Sequence, residues 1–249
     1  MKIHSLLLIA SFTASFSVFA ADAPAIPAES IAKKTNLLFE DNMDGTTHDA
    51  KWHRVVDTFT WEEGMLKGTQ TRVKDVPSKD GKSVITAHAA VYGLELPTKD
   101  SVVEVKIKFD GNTMMDVEFD DRKYTGSHYG HLCRARVSLD KVVIMDERDG
   151  SQNEALKAMM QDPARKAEAG KQMAAHAATF PVALEKGKWY NLAVETVGDA
   201  MRVTIDGKAV AFFKSPGIGH ATKSKIELGV AGQSGWFDEI KIWNAEAAK

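Results

Sequence analysis

The chain has 249 residues, with 32 Lys and Arg against 34 Asp and Glu and a formal net charge of -2. The charges are interspersed, so the basic patch typical of nucleic-acid-binding proteins is missing and a nucleic-acid partner is not expected. The single cysteine, Cys133, excludes an intrachain disulfide and leaves stability to packing.

The N-terminus has the pattern of a secretory signal peptide. Lys2 is followed by an uncharged apolar run from Leu6 to Phe19, and small residues end the pattern at Ala20. The run is shorter than the roughly 20 residues that a membrane-spanning helix needs. We therefore expect cleavage after Ala20, no membrane span afterwards, and a secreted or periplasmic protein.

Residues 21–35 are rich in Ala and Pro and predict a flexible leader, with order beginning near Leu37. The remainder, residues 36–245, is interpreted as a single domain, because β-sandwiches of this length are common.

Alternating apolar and polar residues indicate a protein built mainly from strands. Val103, Val105, Ile107 and Phe109 alternate with charged residues, which is typical of a half-buried strand. Asp206-Gly207 predicts a tight hairpin turn. Many short strands without alternating helices favour an all-β sandwich of antiparallel sheets. Further strands are predicted at 116–120, 134–139, 142–145, 189–197, 201–205, 209–213, 226–230 and 237–243.

One segment, residues 151–177, is rich in helix-forming residues and predicts a helical insertion. Ser151 and Glu154 have the spacing of a capping box, and Pro163 predicts a break or kink. The insertion is either a lid over a site or a solvated connector.

Several side chains with chemical reach fall on the predicted strands. Asp116, Glu118 and Asp120 would share one face at roughly 7 Å spacing, suited to a general acid and base or simply to a solvated face. Cys133 would share the face of Ala135 and is interpreted as a buried structural thiol rather than a nucleophile.

The polar, aromatic segment 124–131 is the best candidate for a binding loop. It contains His128 and His131 and leads to Arg134 and Arg136, which together offer donors, a general base and planar forks for sugar hydroxyls. Zinc is not favoured, because residues three apart on an extended segment point to opposite faces unless a turn intervenes.

Four further residues are candidates for substrate binding. Asp146 and Arg148 follow the next strand and would join Arg134 and Arg136 if the strands pair, or else form a surface salt-bridge ladder. His88 would face a groove or pack in the core. Trp61 would stack on a sugar or close the core.

The order of short motifs resembles that of the concanavalin A-like lectin and glucanase superfamily, and within it the secreted 3-keto-disaccharide hydrolase-type domains of environmental bacteria. The motifs are Phe39-Glu40-Asp41, Trp61-Glu62-Glu63-Gly64-Met65-Leu66, Gly187-Lys188-Trp189-Tyr190, Asp206-Gly207, Lys223-Ser224-Lys225, Gly229-Val230 and the closing block Trp236 to Trp243. The resemblance implies a jelly roll whose concave sheet holds carbohydrate. It also implies a structural calcium ion, with Glu40, Asp41 and Asp238 as candidate ligands. The E-x-D-x-x-E motif of family 16 glycoside hydrolases is not found in this sequence.

The leading hypothesis is an exported domain that binds or hydrolyses a polysaccharide or oligosaccharide on its concave sheet. Asp116, Glu118 and His131 are the catalytic candidates. The alternative is a non-catalytic adhesion or protein-interaction module of the cell envelope.

Overall fold

The computed structural model describes residues 24–45, 49–55 and 58–249. The predicted signal peptide, residues 1–20, lies outside the described residues. Within those residues, no helix has the length and apolar character needed to cross a membrane.

Strands dominate the described chain, and two short helices interrupt them. The helices are α1 (Glu154–Gln161) and α2 (Lys166–Ala175). The strands are β1 (Ala32–Asp41), β2 (Trp52–Arg54), β3 (Phe59–Glu62), β4 (Met65–Gly68), β5 (Val76–Pro77), β6 (Val84–Ile85), β7 (Ala90–Thr98), β8 (Ser101–Asp120), β9 (His131–Val137), β10 (Lys141–Asp146), β11 (Ala177–Pro181), β12 (Trp189–Val197), β13 (Ala200–Ile205), β14 (Lys208–Lys214) and β15 (Lys223–Ala247).

The fold is organised by a long antiparallel ribbon of β8 and β15. Their pairing runs from Asp120 opposite Lys225 to Ser101 opposite Asn244, with irregularities near Gly232. The sequence predicts two separate strands in the β8 region, at 103–109 and 116–120, with residues 110–113 between them. Instead the backbone pairing continues through them, and the strand is unbroken.

The two halves of the ribbon carry two sheets. The first sheet has the order β11-β10-β9-β8-β15-β7-β2 and uses the C-terminal half of β8. The second sheet has the order β14-β13-β12-β8-β15, with β1 and the β3-β4 hairpin paired to the far edge of β15. Inward-facing residues of both sheets form one apolar core, which includes Val103, Phe109, Val117, Phe119, Ile144, Val194, Leu228 and Phe237. The predicted antiparallel jelly-roll sandwich is confirmed.

Local predictions at two positions are also confirmed. Asp206 and Gly207 both have positive φ, at 50° and 76°, as a tight hairpin turn between β13 and β14 requires. Cys133 is fully buried among apolar side chains, and burial raises the pKa of its thiol to about 12. That environment fits a packing role.

Strand β1 begins at Ala32, earlier than the order expected from Leu37. Upstream of it, Arg202 donates to the carbonyl oxygens of Pro27 (3.0 Å) and Ala28 (2.7 Å). Glu195 accepts from the Ile31 amide at 2.9 Å and pairs with Arg202 at 2.7 Å. The predicted flexible leader, 21–35, is thus held from Pro27 onward by two buried charges of the second sheet.

The helical insertion is present and breaks at Pro163, as predicted, but its cap differs. The side-chain oxygen of Asn153, not of Ser151, accepts from the amides of Ala155 and Leu156. Asn is as good a cap as Ser, and it lies directly before the first helical residue. The two helices pack on each other around Leu156, Met159 and Ala169, forming a small cluster of their own.

Candidate functional site

Charged side chains cover the outer face of the first sheet. The register places Asp116 opposite Arg136, Glu118 opposite Arg134, and Asp120 opposite Lys225, while the intervening residues face the core. Most of these charges are buried. The charged cluster, as defined here, comprises Asp116, Glu118, Asp120, His131, Arg134, Arg136, Glu147, Lys225 and Glu227.

Arg134 is the hub of the charged cluster. Its Nη1 donates to Asp116 at 2.9 Å, and its Nη2 donates to Glu118 at 2.8 Å and to Glu147 at 2.7 Å. Burial disfavours the charged guanidinium, but the surrounding carboxylates outweigh it and raise the pKa of Arg134 well above its usual range. Arg136 makes a forked contact with Asp116 at 3.0 and 2.9 Å.

Glu118 and His131 form a close pair inside the cluster. His131 Nδ1 lies 2.5 Å from Glu118 Oε1 and 3.0 Å from Asp120 Oδ1. Burial, against the pull of Arg134, raises the pKa of Glu118 to about 8. Burial opposes charge on His131 too, but its hydrogen bonds to Asp120 and Glu118 prevail and raise its pKa to about 10. Lys225 lies 3.0 Å from Asp120 and 2.5 Å from Glu227.

The charge balance of the cluster adds to burial in favouring a proton on one of its carboxyls, and the pKa of Glu227 is raised as well as that of Glu118. With every group ionised, the cluster holds five carboxylates and four cations, His131 included. One proton on Glu118 neutralises this buried excess of negative charge. The cluster therefore holds an exchangeable proton near neutral pH, the property required of a general acid.

An aromatic loop lies at the rim of the cluster. A single 3-10 turn, His128–Gly130, ends the loop. Gly130 has φ of 80°, and a Cβ at this position would clash with the Asp121 carbonyl oxygen. The turn brings the His128 ring to 6.1 Å from His131, although an extended segment would have separated them. The Tyr129 ring is 78% exposed and lies 4.3 Å from the His128 ring.

The helical insertion holds this loop in place. The His128 amide donates to Gln152 at 2.9 Å, and the Glu154 amide donates to Gly126 at 3.1 Å. The insertion therefore supports the rim of the site from the side, and α1 begins at the point of contact.

Metal binding at the cluster is disfavoured by Arg134. Ligand atoms of Glu118, His131 and Glu147 lie within 4.8 Å of one another. However, Arg134 Nη2 already donates to both carboxylates, so a cation occupies the position where they converge.

Two predicted binding residues do not join the cluster. Asp146 is on the core side of β10, opposite Cys133, and accepts from the Ser215 hydroxyl (2.5 Å) and the Gly217 amide (2.8 Å). Arg148 pairs instead with its neighbour Asp149 at 2.6 Å. The expectation that Asp146 lines the outer face of the sheet was wrong. Its neighbour Glu147 faces that side and contacts Arg134.

The other two predicted binding residues, Trp61 and His88, also lie outside the charged cluster. Trp61 is half-buried against the core with its ring edge-on to Tyr92 at 6.3 Å. His88 is exposed, with Nδ1 2.7 Å from the Ala89 carbonyl oxygen, so it is not a core histidine.

Three members of the cluster, Glu147, Lys225 and Glu227, were not among the site residues predicted from the sequence. Glu147 lay within the acidic run after β10, and its alternation with Met145 gave a usable signal. Lys225 and Glu227 alternate with the core residues Ile226 and Leu228, but only the long-range pairing with β8 shows that they face Asp120 and Glu118.

The residues proposed for calcium line a separate cavity of about 300 Å³. Glu40, Asp41 and Asp238 share its wall with Asn42 and Asp44, as well as Glu239 and Lys241. Carboxylate and amide oxygens are the donors that calcium binds. Lys241, however, already pairs with Glu40 at 2.7 Å, and among the described residues the group whose ligand atoms converge is Glu118, His131 and Glu147 instead. Burial raises the pKa of Asp238, and neighbouring carboxylates add to the rise, as expected where a nearby cation would relieve repulsion. Asp41 already accepts from Met43 and Trp52, which leaves lone pairs on both oxygens.

Calcium at Glu40, Asp41 and Asp238 stays a prediction, and an ion bound there should stabilise the protein. At a calcium concentration 100 times the dissociation constant, the expected gain is about 2.7 kcal/mol, measured by thermal unfolding with and without a chelator. Asp238→Asn should abolish the gain, whereas Asp80→Asn, the same charge change on the distant β5-β6 hairpin, should keep it. Identical unfolding of the wild type in calcium and in chelator would contradict the prediction.

Comparison with solved structures identifies the fold as a concanavalin A-like jelly roll. A non-specific endo-β-1,3(4)-glucanase of family GH16, SCLam, is 12% identical with a TM-score of 0.57, covering 92% of this chain and 98% of its own. The laminarinase from Rhodothermus marinus is 10% identical with a TM-score of 0.56, covering 87% and 99%. The laminarinase catalytic domain from Thermotoga maritima is 12% identical with a TM-score of 0.55, covering 85% and 99%.

These identities establish shared architecture alone. No family model matches the chain, and a search of curated proteins gives no significant match.

Proposed function

We propose that this protein is an exported carbohydrate-active domain that binds a glycan on the outer face of its first sheet, above the charged cluster. The observation that carries the proposal is the juxtaposition of that cluster with the exposed Tyr129 ring at its rim. Tyrosine offers an apolar face for a sugar ring, while Arg136 and His131, both partly exposed, offer donors for its hydroxyls. The signal-peptide pattern at residues 1–20 supports export.

The architecture also supports the proposal. The similar structures named above are a glucanase and two laminarinases, and almost the whole length of each aligns with this chain. Their architecture is shared although the sequence lacks the E-x-D-x-x-E motif, so any chemistry here would depend on this chain's own carboxyls.

Among the carboxyls of the cluster, Glu118 and Glu147 are the pair with the spacing for glycoside cleavage. Their oxygens lie within 4.8 Å, near the roughly 5 Å separation of carboxyls in retaining glycosidases. Arg134 Nη2 donates to both, so cleavage there would require the guanidinium to move aside as the substrate binds. Glu118, protonated near neutral pH, would act as the general acid, and Glu147 would act as the nucleophile. His131 would set the protonation of Glu118.

The test is a glycan panel read by calorimetry and by release of reducing sugar. Tyr129→Asn should weaken binding about tenfold, equal to about 1.4 kcal/mol, because it removes the stacking ring while Asn tolerates the positive φ of 50°. His88→Asn is the matched control on a distant exposed ring. Where sugar is released, Glu118→Gln should reduce the rate by about 10²–10⁴.

A wild-type protein that binds no glycan and releases no sugar would overturn the proposal. Unchanged glycan binding by Tyr129→Asn would show that the glycan does not bind on the outer face of the first sheet.

The protein-interaction alternative has one observation in its favour. Four aliphatic side chains on and beside the β5-β6 hairpin are exposed, with Val73 at 65% and Val84 at 60%. Such a patch is typical of protein docking. A partner whose capture is lost in Val73→Ser with Val84→Ser, in a protein that binds no glycan, would favour this alternative.

A further inference from the structure

A row of alternating tryptophan and lysine crosses the outer face of the second sheet. Cross-strand pairing places Trp189 of β12 beside Lys108 of β8, Lys108 beside Trp236 of β15, and Trp236 beside Lys67 of β4. The residues on either side of them along the strands, including Ile107, Phe109 and Phe237, are buried in the core. We call these four residues the indole–lysine row.

Side-chain contacts follow the backbone order. Lys108 Nζ lies 4.8 Å from the Trp189 ring centroid and 5.0 Å from that of Trp236, and Lys67 Nζ lies 4.9 Å from Trp236. All four side chains are partly exposed. The row is on the opposite face of the sandwich from the charged cluster.

Lys108 differs from the lysines around it. Lys106 Nζ donates to Glu239 at 2.6 Å, and Lys67 Nζ donates to Glu62 at 3.1 Å. Within the part of the chain that the structure describes, Lys108 Nζ has no carboxylate within 4.0 Å and no hydrogen-bond acceptor. Its three N–H donors and its charge are held between two indoles and remain available to a ligand.

We propose that the indole–lysine row is a second binding site, specific for an acidic polysaccharide. The two indoles lie on the order of 10 Å apart, twice the spacing between neighbouring strands, so one linear chain of sugars can reach both. The flexible lysine stem turns aside as sugar rings stack on the indoles, because an exposed cation–π contact is weak. Its ammonium then pairs with a carboxylate or sulfate on the same polymer.

This inference goes beyond the proposed function and is independent of it. The charged cluster carries an excess of carboxylates and would not favour an acidic ligand. If binding fails at the charged cluster, the proposal for the indole–lysine row still stands, and the reverse also holds.

The experiment compares affinities for dextran sulfate, polygalacturonate and uncharged dextran at low salt. The wild type should bind dextran sulfate or polygalacturonate at least tenfold more tightly than dextran. Lys108→Glu and Trp236→Ala should each remove at least tenfold of that affinity, while thermal unfolding shows that both variants fold.

Lys106→Glu is the matched control, since it reverses the same charge on the same strand but contacts neither indole. Its affinity should stay within twofold to threefold of the wild type. Equal losses in Lys106→Glu and Lys108→Glu would show attraction by overall charge and overturn the proposal. So would equal affinity for dextran and dextran sulfate, or tight binding of a thymidine oligonucleotide at the same row.

Discussion

Replacing Arg134 by methionine should lower the free energy of unfolding by about 3–5 kcal/mol at pH 7, the usual cost of breaking a buried ion pair. The guanidinium is the shared partner of Asp116, Glu118 and Glu147, all of them buried. Methionine keeps an apolar stem in place but leaves the carboxylates of Asp116 and Glu147, and the carboxyl of Glu118, buried without the guanidinium to which all three accept hydrogen bonds. Urea denaturation measures the loss.

Arg136→Met is the matched control. Arg136 pairs with Asp116 alone and is partly exposed, so its loss should cost only about 1 kcal/mol. The difference between the two variants should shrink below pH 5, as the orphaned carboxylates take up protons. An Arg134→Met protein within 1 kcal/mol of the wild type at pH 7 would show that the network is not structural.

This expectation changes how Arg134 can be used to map function. The sequence identified Arg134 as a candidate sugar-binding residue, for which Arg134→Ala would be the obvious probe. In the structure, loss of binding in that variant would accompany loss of the fold. Tyr129→Asn, at an exposed ring, separates the two effects.

The free energy of unfolding should fall as pH rises from about 6 to 9. Glu118 and His131 both have folded-state pKa values raised above their unfolded values of 4.5 and 6.5, to about 8 and about 10. The folded protein therefore binds more protons than the unfolded chain in this range, and stability present at low pH is lost as pH rises. The slope can reach about 1.4 kcal/mol per pH unit for each proton.

Glu118→Gln should flatten this dependence between pH 6 and 8. The neutral amide removes one titrating group, and His131 keeps its contact with Asp120. Because Glu118 and His131 share a hydrogen bond, they titrate as a pair. The slope that remains in the variant belongs to His131 and to Glu227, whose pKa burial also raises. Glu63→Gln, at an exposed acid, should leave the wild-type slope unchanged. A wild-type stability that rises from pH 6 to 9 would contradict the assigned proton.

Much of the fold was accessible from sequence because its signals are local. Period-two alternation located β8 to β10 and β12 to β15, although it divided β8 and β15 each into two strands, and Asp206-Gly207 located a hairpin, since each signal depends on a few neighbouring residues. It did not locate β1 to β7 or β11. The break at Pro163 is likewise a property of one residue. The Asn153 cap was missed because a serine with the right spacing stood close by.

The site was harder to predict from sequence because its geometry depends on pairing between strands that are far apart in the chain. Asp116, Glu118 and Arg134 were identified from one face of neighbouring strands. Lys225 and Glu227 lie about a hundred residues later, and only the β8-β15 ribbon brings them into contact. Asp146 was predicted on the outer face, where the structure has Glu147. The end of β10 could not be assigned to a face without its register to β9.

The central claim is that a glycan lies across the charged cluster of the first sheet. A crystal structure after soaking with an oligosaccharide that the panel identifies tests it most directly. The account predicts sugar rings in contact with Tyr129 and hydroxyls within hydrogen-bond distance of Arg136 and His131. A sugar bound only at the second sheet, with the face above Glu118 empty at saturating ligand, would contradict it.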